Sequence, residues 1–514
     1  MLDIPVPEKK QVFDGNPNSA VRSVIICDCD KNDYLNYCDY FEKNGGVKKE
    51  TDENAARLFS AFLCGECGVF INFFHYTREL QIVVEKNCSY FDFCDNSGIV
   101  SDAVQVTQLY LEDFGMSYVI RLGDGRFVII DGGREFESDA VRLFEHLKQS
   151  SPEKKPVIAA WIMSHPHCDH FHCFFPFIER YRDEVVIEKF LYNFPDNVID
   201  YPSLTTTDGI YEPASVSAPR FEKIVRSLGI PVFMPHTGQR FNLGRVSFEV
   251  IASVDDSFCF SRDINNTSLC LMMRAEGQSV LWATDSSFAY NRLAQRYKHT
   301  LKSDILQVPH HGFGGGSKCE DALIDTYRCI DPDVCLLPVH DHTAYNFFCI
   351  FKKPTLYLFT KLNVKEIISG KTTRSITLPY TASVDGEIDA LQKIRDGYDS
   401  VGCKTWVFSE LNTDDPDSFV YSMLNITAEN ATVTVELYFE MPPQRITSVT
   451  VAAERCVMKT VNIIDKTQVE TGSEYNTNSL DRVCIPKNAK FAVRFLSDVP
   501  IIISNKKYRP VYKK

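Results

Sequence analysis

The residue types best suited to chemistry are concentrated in one short stretch, PVIAAWIMSHPHCDHFHCFF. Four of the chain's 12 histidines fall within eight positions here: His165, His167, His170 and His172, with Asp169 among them. The apolar run before them is typical of a strand, and a loop at a strand end can present side chains into a cleft. His165 and His167 are two residues apart, so an extended loop points both the same way, whereas adjacent Asp169 and His170 diverge. Imidazoles and carboxylates aimed in divergent directions favour two neighbouring metal ions, and they fit zinc, iron, manganese, nickel or cobalt.

Two later segments also place candidate ligands directly after an apolar strand. In QSVLWATDSSF the strand is followed by Asp285, which by itself would be typical of a helix cap. In DILQVPHHGFGGGS the strand stops at Pro309, and His310 and His311 follow at once. The glycines after them give a loop whose backbone can approach a ligand closely. Core packing does not explain a histidine pair at this place, so we predict that all three segments share one site.

The elements that must position these segments alternate between strand and helix from about residue 104 to about residue 380. Apolar runs such as RFVIID, PVIAAWIM, SVLWAT and ILQVP predict strands. The segment SDAVRLFEHLKQS predicts a helix, because Val141, Phe144 and Leu147 recur at helical spacing. This alternation is typical of sheets flanked by helices.

The flanking regions follow different patterns. Residues 1 to about 100 predict a small α+β domain, with strands at SVIICDC, VFINFFHY and LQIVVEK and a helix at ENAARLFSAFL. After about residue 400, ATVTVELYFEM alternates with period two, and further short alternating runs predict a β-sandwich. We therefore predict three domains, at residues 1–103, 104–385 and 400–514.

Composition and charge limit the functions that are open to the chain. Its 514 residues are 44% hydrophobic and 24% charged, which is ordinary for globular proteins and excludes a mainly disordered chain. No apolar run approaches the ~18 residues of a membrane helix, and the start MLDIPVPEKKQVFDGN lacks a signal-peptide pattern. We therefore expect no membrane association and a cytoplasmic location, where the 18 scattered cysteines stay reduced. The net charge of −13 disfavours extended nucleic-acid binding.

Taken together, these residues resemble the metallo-β-lactamase superfamily. The sequence HPHCDH at 165–170 matches its H-x-H-x-D-H signature at every ligand position. GDGRFVIIDGG matches its strand ending in Asp-Gly-Gly, which makes Asp131 the corresponding aspartate. NNTSLCLMMRAEGQSVLWATD followed by DILQVPHHG resembles the competence-protein (ComEC-type) branch, although Thr284 stands where glycine is usual. The resemblance covers roughly residues 104–380.

The resemblance implies an α/β fold, an αββα sandwich with metals at the strand ends between two sheets. It implies two divalent ions, zinc before manganese or iron, with Asp285 bridging them. It also implies catalytic roles for Asp169, which orients a metal-bridging hydroxide and binds metal, and for His311, which faces the substrate; the order of His310 and His311 stays open. Asp131 lies behind the ligands in members of the superfamily. The implied metal ligands are His165, His167, Asp169, His170, Asp285 and His310.

Three more histidines are judged from their surroundings. In LLPVHDHTAYN, His340 and His342 follow another apolar strand, so they are candidates for giving the leaving group a proton; the alternative is a polar loop with Asp341. Many members of the superfamily have another histidine ligand before the bridging aspartate, and the candidate here is His236. It precedes a predicted hairpin, RFNLGRVSFEVI, so we predict that His236 is solvated rather than a ligand.

The function that these features predict is a dinuclear metal-dependent hydrolase, and the competence-type pattern favours phosphodiesters. The negative charge favours a small phosphodiester, or the end of a longer one held mainly by the metals. An alternative keeps the metals but makes the bond a lactone, thioester or amide. A redox diiron enzyme is disfavoured, because its pattern places an acidic residue where His167 stands. A third alternative is a catalytically silent scaffold or binding protein. The sequence leaves the oligomeric state open.

Overall fold

The computed structural model groups the chain into two compact units, Met1–Asp341 with Leu362–Gly386, and His342–Lys361 with Glu387–Lys514. The domain limits given above stay a prediction. None of the described helices is long and apolar enough to cross a membrane. The described residues are 2, 4–93, 95, 102–113, 115–196, 212–261, 263–313, 319–339, 353–362, 364–382, 403–412, 420–425, 431–438, 444–451, 457–462 and 490–505.

The first unit begins with a six-stranded antiparallel sheet that carries one helix. The helix, α1 (Lys31–Lys43), begins at Asp30, whose carboxylate accepts the backbone N–H groups of Asn32 and Asp33. Its buried face packs on the sheet through Tyr34, Cys38 and Phe41. The spatial order is β1-β2-β6-β5-β4-β3. The strands are β1 (Val12–Asn18), β2 (Val21–Ile26), β3 (Val47–Glu53), β4 (Arg57–Cys64), β5 (Cys67–Phe74) and β6 (Glu79–Glu85).

The helix predicted at ENAARLFSAFL is wrong, because most of this segment is strand β4. Leu58 and Phe62 point into the cluster under α1, whereas Phe59 and Ala61 point into a second buried cluster on the other face. Because both faces of β4 are buried, apolar and polar residues do not alternate along it. Its continuous apolar run therefore cannot be distinguished from that of a buried helix. Asn54 starts the strand by accepting two backbone N–H groups, from Ala56 and Arg57.

Two further sheets face each other in the centre of the first unit. The first sheet comprises β7 (Gln105–Gln108), β8 (Ser117–Arg121), β9 (Phe127–Asp131), β10 (Val157–Ile162), β11 (Val186–Ile187), β12 (Phe190–Leu191), β13 (Val232–Phe233) and β21 (Arg374–Thr377). The second comprises β14 (Arg240–Leu243), β15 (Val246–Ala252), β16 (Cys270–Ala275), β17 (Gln278–Trp282), β18 (Ile305–Gln307), β19 (Val334–Leu337) and β20 (Glu366–Ser369). The first sheet has the order β13-β12-β10-β9-β8-β7-β21, with β11 paired to β10, and the second has the order β14-β15-β16-β17-β18-β19-β20.

Helices lie outside these sheets and connect their parallel strands. Apolar side chains from α2, α4 and α5 pack on the outer face of the first sheet around Trp161, while α7 and α8 connect β17, β18 and β19. The predicted α/β sandwich is therefore confirmed. The helices are α2 (Glu137–Ser150), α3 (Cys168–Phe171), α4 (Phe174–Tyr181), α5 (Ala214–Leu228), α6 (Val254–Ser257), α7 (Leu293–Tyr297) and α8 (Glu320–Ile330).

The core between the two central sheets is apolar and takes side chains from both. Tyr118, Ile130 and Ile162 come from the first sheet, and Leu271 and Trp282 come from the second. The rings of Tyr118 and Trp282 lie 4.9 Å apart across the interface. Their burial fixes the two sheets against each other, and so fixes the edges at which the candidate ligands lie.

Buried polar groups join the N-terminal sheet to the second central sheet. Arg57 on β4 is completely buried, and its Nη2 lies 2.7 Å from Oε1 of Glu249 on β15. Asn72 Nδ2 donates to the carbonyl of Thr237 at 2.7 Å, and Gln81 Nε2 donates to Asp256 Oδ1 at 3.0 Å. These partners satisfy polar groups that burial would otherwise destabilise.

The second unit contains α9 (Lys353–Lys361) and, among the described residues after 402, an antiparallel sheet; the predicted β-sandwich stays a prediction. One long strand, β27, pairs with β22, β23 and β24, while β25 pairs with β24 and β26 pairs with β23. Residues of one buried face, including Val433, Phe495 and Tyr421, form its core. The strands are β22 (Cys403–Asn412), β23 (Val420–Asn425), β24 (Ala431–Tyr438), β25 (Gln444–Val451), β26 (Val457–Asn462) and β27 (Lys490–Asn505).

Candidate metal centre

The candidate ligands follow the carboxyl ends of neighbouring parallel strands. In the first sheet, β9 ends at Asp131 and the parallel β10 is followed by the 165–170 loop. In the second, β17 is followed by Asp285 and the parallel β18 by the histidine pair 310–311. The backbone N–H of Leu269 donates to the carbonyl of Ser164 at 3.1 Å, which holds the two edges together.

The structure brings these side chains into one buried cluster. His170 Nε2 and His165 Nε2 lie 3.2 and 3.9 Å from Asp285 Oδ2. On the other side, His311 Nε2 lies 3.2 Å from Asp169 Oδ2 and 3.7 Å from Asp285 Oδ1. Two groups could each hold a metal ion, with ligand atoms within 4.8 Å of one another: His165, His170 and Asp285, and Asp169, His170 and His311.

Other candidate residues lie around this cluster. His167 is buried, and its Nδ1 lies 3.2 Å from His165 Nε2. The side chain of His310 is 18% exposed, with Nε2 3.9 Å from Asp285 Oδ2. His172 is buried, with Nδ1 4.0 Å from a Glu135 oxygen. The predictions for His340 and His342 fall outside the described residues.

Several candidate ligand atoms in this cluster have no hydrogen-bond partner among their neighbours, and a bound cation would satisfy them. His170 Nε2, Asp169 Oδ1 and Asp285 Oδ1 are buried and make no hydrogen bond. Buried polar atoms are rarely left without a partner, so such a set indicates a missing one. Asp131, Asp169 and Asp285 also bring three buried carboxylates close together. Imidazole nitrogens and carboxylate oxygens are suitable donors for a divalent transition-metal ion, so the residues fit a metal centre.

A second layer of hydrogen bonds aims the imidazoles into the cluster. Asp131 Oδ2 lies 2.7 Å from His170 Nδ1, and its two oxygens also accept the backbone N–H and the hydroxyl of Ser164. His311 Nδ1 donates to the carbonyl of Pro338 at 3.0 Å. Each Nδ1 is held by a partner outside the cluster, so both Nε2 atoms face the cluster. Such partners commonly orient metal-binding histidines in this way.

The cluster's charges are mutually dependent. Burial alone would raise the pKa values of Asp169 and Asp285, but the His170 and His311 imidazoles hold both well below their usual range. Burial lowers the pKa values of His165 and His167. The carboxylates are therefore charged and these two imidazoles neutral, as metal binding requires. The surrounding carboxylates, Asp285 first, instead raise the pKa of His170, so a metal ion would have to displace a proton from this ring.

Four residues at the candidate site have a strained backbone conformation. Asp131, Thr284, His310 and His311 all have positive φ, between 48° and 60°. Non-glycine residues adopt this conformation at a cost, and it persists where surrounding contacts impose it. One such contact is the backbone N–H of His310, which donates to the carbonyl of Thr284 at 2.8 Å.

Supporting residues of the site were not predicted from the sequence. Ser164 holds Asp131, and Ser268 Oγ accepts the backbone N–H of Asp285 at 3.3 Å. Gln307 is fully buried between the strand ends. A signal for Gln307 is present in the sequence, because it is a polar residue inside the apolar strand ILQV.

The prediction that His236 is solvated is wrong, because this side chain is completely buried. Its Nδ1 lies 2.6 Å from Asp255 Oδ2, its Nε2 lies 3.3 Å from Glu85 Oε2, and its ring stacks on Phe70. Both nitrogens thus face carboxylates, and Nδ1 makes a hydrogen bond. Neither of the two metal-binding groups found among the described residues includes His236.

This arrangement predicts that His236 stays charged far above neutral pH. Burial alone would lower its pKa, but Asp255 and Glu85 outweigh burial and raise the pKa to about 10 from an ordinary 6.5. The stabilisation that the imidazolium provides is therefore fully present below about pH 6.5 and lost as the pH rises through about 10. Histidine-selective NMR titration, with the resonance assigned through His236→Gln, measures this pKa. A midpoint near 6.5 would contradict the paired arrangement.

Comparison with known proteins gives one family match. Residues 111–242 match the family model of the metallo-beta-lactamase superfamily. No curated protein matches the sequence.

Three solved structures show local similarity. A beta-lactamase domain protein from Burkholderia ambifaria is 13% identical, over 62% of this chain and 93% of that chain, with a TM-score of 0.26. Zn(2+)-bound PqqB from Methylobacterium extorquens is 12% identical over 40% of this chain and 72% of that chain, with a TM-score of 0.27. The Anabaena sensory rhodopsin transducer is 25% identical over 21% of this chain and 83% of that chain, with a TM-score of 0.15.

Proposed function

We propose that the metallo-β-lactamase superfamily domain of this chain is a metal-dependent hydrolase with a dinuclear centre. The observation that carries the proposal is the buried cluster in which His170 Nε2, Asp169 Oδ1 and Asp285 Oδ1 converge without hydrogen bonds. A scaffold that bound no metal would have to bury Asp169 Oδ1 and Asp285 Oδ1 without a hydrogen-bond partner, which destabilises a fold.

Asp285 is the carboxylate best placed to be shared between two ions. Its Oδ2 faces His165 and His170, whereas its Oδ1 faces His311. We assign His165 to one ion, with His167 beside it, and Asp169 and His311 to the other, with Asp285 between them and His170 within reach of both groups.

The same geometry supports different roles for the two adjacent histidines. His311 is fully buried with Nε2 directed at Asp169, so it fits the ligand role. His310 is partly exposed beside Asp285, which places it on the rim of the cluster. We therefore assign to His310 the contact with substrate and the delivery of a proton to the leaving group.

Two bound divalent ions would supply Lewis acidity and lower the pKa of water, so that a nucleophile forms at neutral pH. The protein side chains orient the reaction. Asp169 Oδ1, which has no hydrogen bond, is placed to accept a hydrogen bond from the attacking water and so to orient it. Asp131 holds the His170 ring in place from behind.

The proposed substrate is a small phosphodiester, or the terminal phosphodiester of a longer molecule. This choice is supported by the competence-type pattern around residues 265–312 and by the net charge of −13, which opposes a grip on many phosphates. Zinc is the proposed metal, with manganese and iron as the other candidates to be tested. A cytoplasmic location agrees with reduced cysteines.

The proposal is tested by stripping the purified chain with a chelator, reloading it with zinc, manganese or iron, and measuring metal content. We expect about two ions per chain and hydrolysis of bis-p-nitrophenyl phosphate that is lost on chelation. His165→Ala should lose both metal and activity. His75→Ala, a substitution outside the cluster, serves as the matched control.

Two results would contradict the proposal. Preferential hydrolysis of lactones, thioesters or nitrocefin by the loaded protein would replace the phosphodiester substrate. A folded wild-type chain that binds none of the three metals would instead favour a scaffold.

A further inference from the structure

We infer that Gln307 is a positioning residue that joins the loop carrying Asp285 to the loop carrying His310 and His311. This inference rests on the proposed function, because it concerns the geometry of the same metal centre. Gln307 is the last residue of β18, and its side chain is completely buried.

The side-chain amide of Gln307 bonds to backbone on both loops. Its Oε1 accepts the N–H of Ala283 at 3.0 Å and the N–H of Thr284 at 2.5 Å. Its Nε2 donates to the carbonyl of Val308 at 2.7 Å. Two amide donors converge on one end of the side chain and a carbonyl lies at the other, so the orientation of the amide is determined by its partners.

These bonds lie where the sheet stops providing partners. β17 and β18 pair in parallel up to Trp282 and Gln307, and Ala283 and Thr284 continue beyond the last pair. Thr284 then turns into the left-handed region at a φ of 48°, so the chain leaves the strand direction at this residue. The Gln307 oxygen replaces the missing strand acceptor for two successive buried N–H groups.

The next residue along the chain is Asp285, so the position of its carboxylate depends on this turn. The Thr284 carbonyl also accepts the N–H of His310, which links the turn to the second loop. Gln307 therefore fixes Asp285 relative to His311 without contacting either side chain. Residues that support metal ligands in this way affect metal affinity as well as stability.

Gln307→Met tests the inference, because methionine has a similar length but neither accepts nor donates a strong hydrogen bond. The matched control is Gln278→Met, at the opposite end of β17. Gln278 also bonds to backbone at both ends of its amide, accepting the N–H of Tyr380 at 2.6 Å and donating to its carbonyl at 2.7 Å. Both substitutions remove backbone hydrogen bonds, but only one lies beside the metal loops.

The experiment measures Zn²⁺ affinity by competition with a chromophoric chelator, together with the visible absorption spectrum of the Co²⁺-loaded protein and the melting temperature without metal. We expect Gln307→Met to weaken Zn²⁺ binding by roughly 10- to 100-fold and to change the Co²⁺ spectrum. Gln278→Met should lower the melting temperature but leave affinity and spectrum unchanged.

The outcomes separate this inference from the proposed function. Wild-type affinity and spectrum in Gln307→Met would overturn the inference alone, whereas a wild-type chain that binds no metal would overturn the proposed function. If Gln307→Met does not fold, Gln307→Asn is compared with Gln278→Asn. Asparagine is one methylene shorter and stays neutral, so its oxygen no longer reaches both N–H groups of Ala283 and Thr284. Weaker Zn²⁺ binding in Gln307→Asn than in Gln278→Asn supports the inference, and equal binding in the two variants overturns it.

Discussion

Asp285→Asn is expected to abolish hydrolysis and to release metal while leaving the fold intact. The substitution removes a negative charge that lies against both ligand groups, since one carboxylate oxygen faces His170 and the other faces His311. Asparagine keeps the side chain's shape, and the backbone N–H that donates to Ser268 is unchanged. We expect turnover to fall roughly 1000-fold or more. This loss is larger than the one caused by removing a single neutral hydrogen-bond donor from a catalytic site.

The measurement is turnover of bis-p-nitrophenyl phosphate together with metal content and melting temperature. Asp304→Asn is the matched control, because Asp304 accepts the N–H and hydroxyl of Ser279 at the opposite end of β17. That control should bind metal and turn over substrate as the wild type does. An active, metal-loaded Asp285→Asn protein would show that Asp285 does not bridge the centre.

The clustering of ligands was predictable from sequence because their spacing is local. The 165–170 motif fixes four side chains within six residues, and the apolar strand before it fixes their place at a sheet edge. The convergence of Asp285 and the 310–311 pair on that motif could be predicted only through the resemblance, since nothing local records a contact between distant segments. The ligand roles themselves stay a proposal.

Other features depend on tertiary context that the sequence does not express. The apolar run in β4 is buried on both faces, so its pattern does not distinguish a strand from a helix. His236 precedes a hairpin, as predicted, but the N-terminal sheet supplies Glu85 to bury and charge it. Both errors have one cause: the N-terminal sheet packs against the central domain, and that packing was not visible in either segment alone.

Arg296→Met is expected to destabilise the first unit by about 3–5 kcal/mol, the cost of leaving buried charges unpaired. Arg296 is buried on α7, its Nε lies 3.0 Å from Oε2 of Glu79 on β6, and Nη1 contacts Asp256. Burial alone would raise the pKa of Glu79, but Arg296 and Arg292 lower it. The ion pairs thus keep charged carboxylates inside the contact between the N-terminal sheet and the central domain.

The measurement is the melting temperature and the free energy of unfolding of the metal-free protein. Arg226→Met is the control, because Arg226 is 78% exposed and pairs with Glu222 within one helix; such exposed pairs are worth about 0.3–0.5 kcal/mol. In Arg296→Met, Glu79 keeps only the partly exposed Arg292 as an ion-pair partner, so its carboxylate should take up a proton more readily. Lowering the pH toward about 5 should therefore narrow the stability gap to wild type. If Arg296→Met loses no more unfolding free energy than Arg226→Met does, the buried ion pairs of Arg296 do not hold the N-terminal sheet in place.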